Sequence, residues 1–231
     1  MAKGTYDRKD RYYQKAKKEG LASRAAYKLT EIQFKYKIIR SGNKVLDVGC
    51  APGGWLQSLS KMVGPKGLLV GIDRLPLKIQ TSPNTIFLQK NIEEEGLAEE
   101  FKKILSQGPA LPDREANSKS LRSLKGADFF DVIVSDISPD LSGIPFRDIY
   151  NSYELSLKVW KLANQFLKKG GNFVSKIFPG EETNKLKVEI KKNFKRFVTF
   201  IPEATRKTSN EVYLIGLDYL TPQCPVRGQV P

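Results

Sequence analysis

From residue 44 onward, apolar and polar positions follow two alternating patterns. Short apolar runs of strand length (VLDVG, GLLVGID, TIFLQ, FFDVIVSD, NFVSKIF) are separated by stretches whose apolar residues recur every three or four positions. These stretches are WLQSLSKMV, EGLAEEFKKILSQ, IYNSYELSLKVWKLANQFLKK and TNKLKVEIKKNF. The first pattern predicts buried strands and the second predicts helices with one apolar face. RFVTFIP and EVYLIGLDYL follow as two strands with no helix between them, which predicts an antiparallel pair at one end. The alternation as a whole predicts an α/β fold: a mostly parallel, seven-stranded sheet with helices on both faces. In such sheets a ligand sits beyond the carboxyl ends of the strands.

The flanking segments read differently. Residues 5–20 are charged and rich in Tyr, which predicts a helix or ordered arm. Ser23 suits the N-cap of a helix through RAAYKLTEIQFKY, whose apolar positions are Ala26, Leu29, Ile32 and Phe34. Gly170-Gly171 is expected to stop the long helix before NFVSKIF. Residues 106–127 hold Pro, Ser, Asn and charge without periodicity and predict a surface insertion. The organisation expected is a basic helical extension over 1–43, one α/β domain over 44–220 and an irregular tail over 221–231.

Composition narrows the function classes. The chain has 231 residues, 40% of them hydrophobic, enough for one substantial core. No run approaches the ~20 apolar residues of a membrane span, and the N-terminus is too polar for a secretory signal. Cys50 and Cys224 are the only cysteines, so no disulfide framework is expected and a reducing cytoplasm fits. Histidine is absent. Any proton abstraction therefore falls to Lys, Asp, Glu, Tyr or Cys, and no metal site is expected. The net charge of +14 is uneven: residues 1–44 carry +9, residues 45–160 carry −2 and residues 161–207 carry +8. If both basic ends fold to one side, they form a surface suited to a polyanion such as a nucleic acid.

The stretch Asp47-Val48-Gly49-Cys50-Ala51-Pro52-Gly53-Gly54-Trp55 lies between a predicted strand and helix, where a nucleotide-like ligand belongs. Its glycines let something approach the backbone closely. Neither GxGxxG nor GxxxxGK[ST] is present. Asp73 ends the next strand, 26 residues after Asp47. An acid there can accept hydrogen bonds from both hydroxyls of an adenosine ribose. NAD and S-adenosylmethionine share that ribose, and the missing pyrophosphate cradle favours S-adenosylmethionine.

DVGCAPGGW, SDISPDLSG, FVSKIFPGE and SNEVYLIG, preceded by SRAAYKLTEIQ, together resemble the FtsJ/RrmJ family of S-adenosylmethionine-dependent ribose 2′-O-methyltransferases. The likeness runs over about residues 5–220. It implies a Rossmann-like methyltransferase fold over 44–220, with residues 1–43 contributing to an RNA surface. It also implies a catalytic tetrad of Lys28, Asp136, Lys176 and Glu211, with Lys176 taking the ribose proton. For the cofactor it implies Gly53, Trp55, Asp73 and Asp136, and a position at Asn91 that meets the adenine. Bacterial relatives carry an acid there; the Asn91 carbonyl can still accept a bond from the adenine amino group. The motifs look most like those of bacterial members acting on large-subunit ribosomal RNA, so a uridine ribose there is the expected target, with no role for DNA or membrane and a monomer as the expected state.

The residues themselves are compatible with these roles. Asp136 ends an apolar strand at the ligand edge, and Lys176 lies between Val and Ile in the adjacent strand pattern. Burial and a second cation, which Lys28 could supply, both favour a neutral amine, while Asp136 and Glu211 pull the other way and hold the ammonium groups in place. Plainer readings stand beside these. Lys28 could be a solvated helix lysine, Asp136 or Asp73 a turn cap, Lys176 a snorkelling side chain, Glu211 a partner of Arg206 or Lys207, and Trp55 a core filler. Lys3, Arg8, Lys9, Arg11, Lys15, Lys17, Lys18, Lys191, Lys192, Lys195 and Arg196 offer phosphate contacts, and Tyr6, Tyr12 and Tyr13 offer stacking surfaces. Rival functions are the same chemistry on tRNA or an mRNA cap, a non-catalytic RNA-binding assembly factor, and a nucleotide-dependent oxidoreductase.

Overall fold

The computed structural model describes residues 10–107, 129–206 and 208–220. The expectations for Lys3, Tyr6, Arg8, Lys9, the bulk of the 106–127 insertion, Lys207, Cys224 and the tail lie outside these residues. In chain order the elements are α1 (Arg11–Lys18), α2 (Ala25–Tyr36), β1 (Lys44–Val48), α3 (Gly54–Val63), β2 (Leu68–Asp73), β3 (Thr85–Gln89), α4 (Leu97–Gln107), β4 (Phe130–Ser135), α5 (Pro145–Phe166), β5 (Leu167–Ile177), α6 (Glu181–Lys192), β6 (Phe194–Phe200) and β7 (Val212–Tyr219). The seven strands form one sheet in the order β3-β2-β1-β4-β5-β7-β6. Strands β1 to β5 run parallel, and β7 is antiparallel to both β5 and β6. Strand order reverses between β1 and β4, which opens a crevice at their carboxyl ends.

Two apolar layers cover the sheet. Leu46, Val48, Val70, Ile133 and Phe173 pack with α4, α5 and α6 on one face. Val45, Leu69, Val132, Val134, Val174 and Ile215 pack with α2 and α3 on the other. Because side chains alternate along a strand, Asp47, Asp136, Lys176, Glu211 and Tyr213 share the parity of this second set. They form a polar row at the carboxyl end of the face that α2 covers.

Several boundaries move for identifiable reasons. Helix α5 stops at Phe166 rather than at the Gly-Gly pair, because Leu167 already pairs with Phe130 in the β4–β5 ladder. Ser23 acts ahead of α2: its hydroxyl accepts from the Ala25 N–H (2.9 Å), and Arg24 occupies the cap position. On α2, Ala26, Leu29 and Ile32 are buried, whereas Phe34 is 85% exposed, because it sits two residues round the helix from Ile32. Asp10 caps α1 by accepting from the Tyr13 N–H (3.0 Å).

Candidate active site

The ladder registers determine which side chains meet. Ser135 lies level with Ser175 across β4 and β5. Lys176 is directly opposite Tyr213 across β5 and β7, so these two project from the same face. Asp136 leaves β4 one residue past the ladder and lies beside Lys176. Lys176 Nζ donates to the Asp136 backbone carbonyl (2.7 Å) and pairs with its Oδ1 (3.2 Å). The Tyr213 hydroxyl donates to the same Oδ1 (2.6 Å). From above, α2 delivers Lys28, which forms a salt bridge with Glu211 at the entrance to β7. Lys28, Lys176 and Glu211 are all buried, with Lys176 only 5% exposed. The structure thus brings all four tetrad residues together as two adjoining ion pairs, in which Glu211 pairs with Lys28, while Arg206 reaches Asp10.

The electrostatics follow from burial and charge. Burial pushes the Asp136 carboxyl up, but Lys176, Lys28 and the Tyr213 hydroxyl outweigh it and hold the group below the usual carboxylate range. Asp136 is therefore an anion. Tyr213 is pushed well above the ordinary phenol value by burial, then by Asp136 and Glu211, so it remains a donor. Burial, Asp47 and Asp73 push the Cys50 thiol far up, which leaves it inert as a nucleophile.

At the glycine turn, the close neighbours come from the chain itself. Gly49 (φ +76°) faces Ile137, Gly53 (φ +114°) faces Ile79 and Gly54 faces Ser23; a Cβ at any of them would approach these residues within 2.7 Å. Asp73 ties the turn together: Oδ2 accepts from the Ala51 N–H (2.8 Å) and Oδ1 from the Leu75 N–H (2.9 Å). It is half-buried, and each oxygen keeps a lone pair. Trp55 turns inward. Its indole N–H donates to the Ala25 carbonyl (2.7 Å), its ring stacks on Tyr213 (centroids 5.8 Å apart, planes at 26°), and it is 3% exposed. Asn91 is exposed beyond β3, and its side-chain oxygen accepts from the Glu93 N–H (3.2 Å).

A match to the sequence profile of the FtsJ-like methyltransferases covers residues 21–219. The chain belongs to the FtsJ-like methyltransferase family. Its curated relatives include the ribosomal RNA large subunit methyltransferase E of Bdellovibrio bacteriovorus, 37% identical over 92% of this chain and 98% of that protein. The protein of the same name from Syntrophobacter fumaroxidans is 37% identical over 92% and 97%. Among solved structures, a Plasmodium falciparum protein described as a ribosomal RNA methyltransferase superposes with a TM-score of 0.66 at 28% identity, covering 86% of this chain and 98% of that one. Aeropyrum pernix fibrillarin, solved with natively bound S-adenosyl-L-methionine, shares the fold with a TM-score of 0.51 at 15% identity, over 83% and 76% of the two chains.

This FtsJ-like site contains residues that sequence reading passed over. Tyr213 holds Asp136 through the same Oδ1 that Lys176 reaches; its place two residues after Glu211 in a strand put it on the same face, which was a usable signal. Asp47 is more unusual. It is fully buried, and neither carboxyl oxygen has a hydrogen-bond partner among the described residues. Burial, then Asp136, then Asp73, raise its pKa well above the ordinary value. Three carboxyls thus converge on the crevice beside the glycine turn: Asp136 balanced by Lys176 and Tyr213, Asp73 tied to two backbone N–H groups, and Asp47 without a donor among the described residues. This acid-rich corner suits a cationic ligand. The sulfonium and ammonium of S-adenosylmethionine fit this chemistry, and the free lone pairs of Asp73 fit ribose hydroxyls.

Proposed function

We propose that this chain methylates a ribose 2′-hydroxyl in RNA using S-adenosylmethionine, with a uridine of large-subunit ribosomal RNA as its target. The observation that carries the reading is the convergence of Lys176–Asp136 and Lys28–Glu211 on one sheet face, at the crevice beside the glycine turn. Gly53, Asp73, Asn91 and Asp136 would hold the cofactor, joined by Asp47, while Trp55 acts from the core by packing on Tyr213. When bound, the cofactor supplies a methyl group already activated by a positive sulfur.

The chain's own task is then to align an oxygen and remove a proton. Lys176 serves as the base: once its ammonium has given up a proton to solvent, its Nζ takes the proton of the 2′-hydroxyl while that oxygen gains the methyl group. Asp136 and Tyr213 fix the direction of the amine. The Lys28–Glu211 pair offers a donor and an acceptor to the ribose, and both are held still by burial. Alignment of the nucleophile provides much of the acceleration. A 2′-hydroxyl nucleophile excludes DNA as the acceptor.

The ribosomal target rests on the names and near full-length similarity of the bacterial relatives. The RNA path over α1 rests on charge: Lys15, Lys17 and Lys18 are exposed. Lys191, Lys192, Lys195 and Arg196, also exposed, lie where β6 begins and Phe194 pairs with Tyr219, the end of the sheet away from Lys176 and Glu211, so the two basic segments do not share one end of the sheet. Asp10 docks α1 beside the site by pairing with Arg24 and with Arg206 Nε (3.2 Å). No helix among the described residues is long and apolar enough to cross a membrane. The deciding experiment supplies labelled methyl donor with separate pools of large subunits, naked ribosomal RNA and tRNA, then maps the product. Label in a 2′-O-methyl nucleoside of the large-subunit RNA is expected; label on a base, or in tRNA alone, refutes the assignment.

A further inference from the structure

The segment from the end of β4 into the first turn of α5 carries a feature that methyl transfer does not use. Leu141, Ile144 and Phe146 are 68%, 57% and 74% exposed, three large apolar side chains within six residues of one another. Exposed clusters of this kind mark contact surfaces. The segment has a fixed shape. The Asp148 carboxylate, itself buried, accepts from the Ser142 N–H (2.8 Å), the Ser142 hydroxyl (2.7 Å) and the Gly143 N–H (3.3 Å), and the Ser142 oxygen accepts from the Ile144 N–H (3.2 Å).

Its position is equally defined. The segment begins at Asp136, lays Ile137 against Gly49, and reaches Arg74 through Asp140 (2.6 Å). On its other side α5 borders the catalytic strand: the Ser156 hydroxyl donates to the Lys176 carbonyl (2.9 Å), and Ser152 accepts from the Phe178 N–H (3.0 Å). The apolar tips therefore stand on a braced rim between the glycine turn and Lys176.

We propose that this rim is a stacking platform for an unpaired RNA base next to the modified nucleotide, with Phe146 as the stacking ring and Leu141 and Ile144 flanking it. The inference rests on the RNA methylation reading above. Two observations favour a nucleotide as the occupant. The rim borders the catalytic groups, so whatever covers it must arrive with the ribose that reaches Lys176. Phe146 is also followed by the exposed Arg147, which matches an apolar base face joined to a phosphate, and aromatic stacking needs no particular base. The platform holds the strand so that the neighbouring ribose faces the amine.

The test uses the full chain and the variants Phe146→Ala and Phe146→Trp. Affinity for an unstructured oligoribonucleotide is read by fluorescence anisotropy, kcat/KM on naked large-subunit ribosomal RNA by methyl incorporation, and cofactor affinity by calorimetry. Phe146→Ala is expected to weaken oligonucleotide binding about tenfold and to lower kcat/KM by a similar factor, as loss of one stacked base predicts. Cofactor affinity stays unchanged, and Phe146→Trp restores both losses. An RNA with an abasic residue beside the target shows the same loss in the wild type and none beyond it in Phe146→Ala. Oligonucleotide binding by Phe146→Ala within about twofold of wild type, or abasic and alanine losses that add, overturns the proposal. A defect confined to assembled subunits also overturns it, since the rim then meets a protein. Should the wild type methylate no RNA, the functional reading fails, while the anisotropy measurement still decides the platform.

Discussion

Lys176→Met removes the proposed base while nearly preserving its volume. In the native site the amine compensates Asp136 twice, through the carboxylate at 3.2 Å and the backbone carbonyl at 2.7 Å. Stripping one member from a buried ion pair costs roughly 3–5 kcal/mol. Asp136 keeps the Tyr213 hydroxyl bond and the field of Lys28, so the lower end, about 3 kcal/mol, is expected. For a domain of this size that lowers Tm by about 6–12 °C. The loss depends on pH in a defined direction. Asp136 has a depressed folded-state pKa, so its stabilising contribution is present above the unfolded value near pH 4 and fades as pH falls through the folded value. The gap between variant and wild type is therefore widest at neutral pH and closes in acid, as measured by denaturant titration from about pH 7 to pH 3. Methyl transfer should drop at least about 100-fold, the low end for a general base, with cofactor affinity retained. Circular dichroism at the assay temperature confirms that the variant is folded. Turnover by a folded Lys176→Met within about tenfold of wild type would remove Lys176 from the base role.

Three further outcomes follow from the same geometry. Tyr213→Phe deletes the 2.6 Å bond to Asp136 and should cost about 1.5–3 kcal/mol in chemical denaturation, with kcat reduced and cofactor affinity intact; unchanged stability would mean that the hydroxyl bond contributes nothing. Asp47→Asn should stabilise the ligand-free protein at neutral pH, because a carboxyl whose folded pKa is raised contributes stability only below its unfolded value and loses it as pH rises. The gain should vanish below about pH 4 and be accompanied by weaker cofactor binding, and a variant no more stable than wild type at neutral pH contradicts the account of this buried acid. In thermal-shift measurements S-adenosylmethionine should raise Tm and NAD should not; stabilisation by NAD alone would overturn the cofactor assignment.

Much of this was legible along the chain because strand and helix periods differ. The apolar runs around Leu46, Val70, Ile133 and Phe173 marked four parallel strands, and the lack of a helix between RFVTFIP and EVYLIGLDYL marked the antiparallel end. Boundaries were less legible where two elements competed for one segment: Leu167 reads as helix until β4 offers it a partner. Phe34 counted as apolar in the pattern, yet only the packed helix shows that it points to water.

The motifs named the four polar residues of the site and suggested an ionic role for each, since their chemistry travels with their identity. They could not say who pairs with whom. Lys28 and Glu211 are separated by most of the chain, and their salt bridge exists because β7 inserts antiparallel beside β5 while α2 crosses that face. The same packing buries Trp55 against Tyr213, lines Tyr213 up with Asp136, and leaves the Asp47 carboxyl buried without a hydrogen-bond partner among the described residues. Local pattern reports what a segment prefers, whereas burial, dielectric surroundings and charge pairing arise from the other segments the fold lays against it.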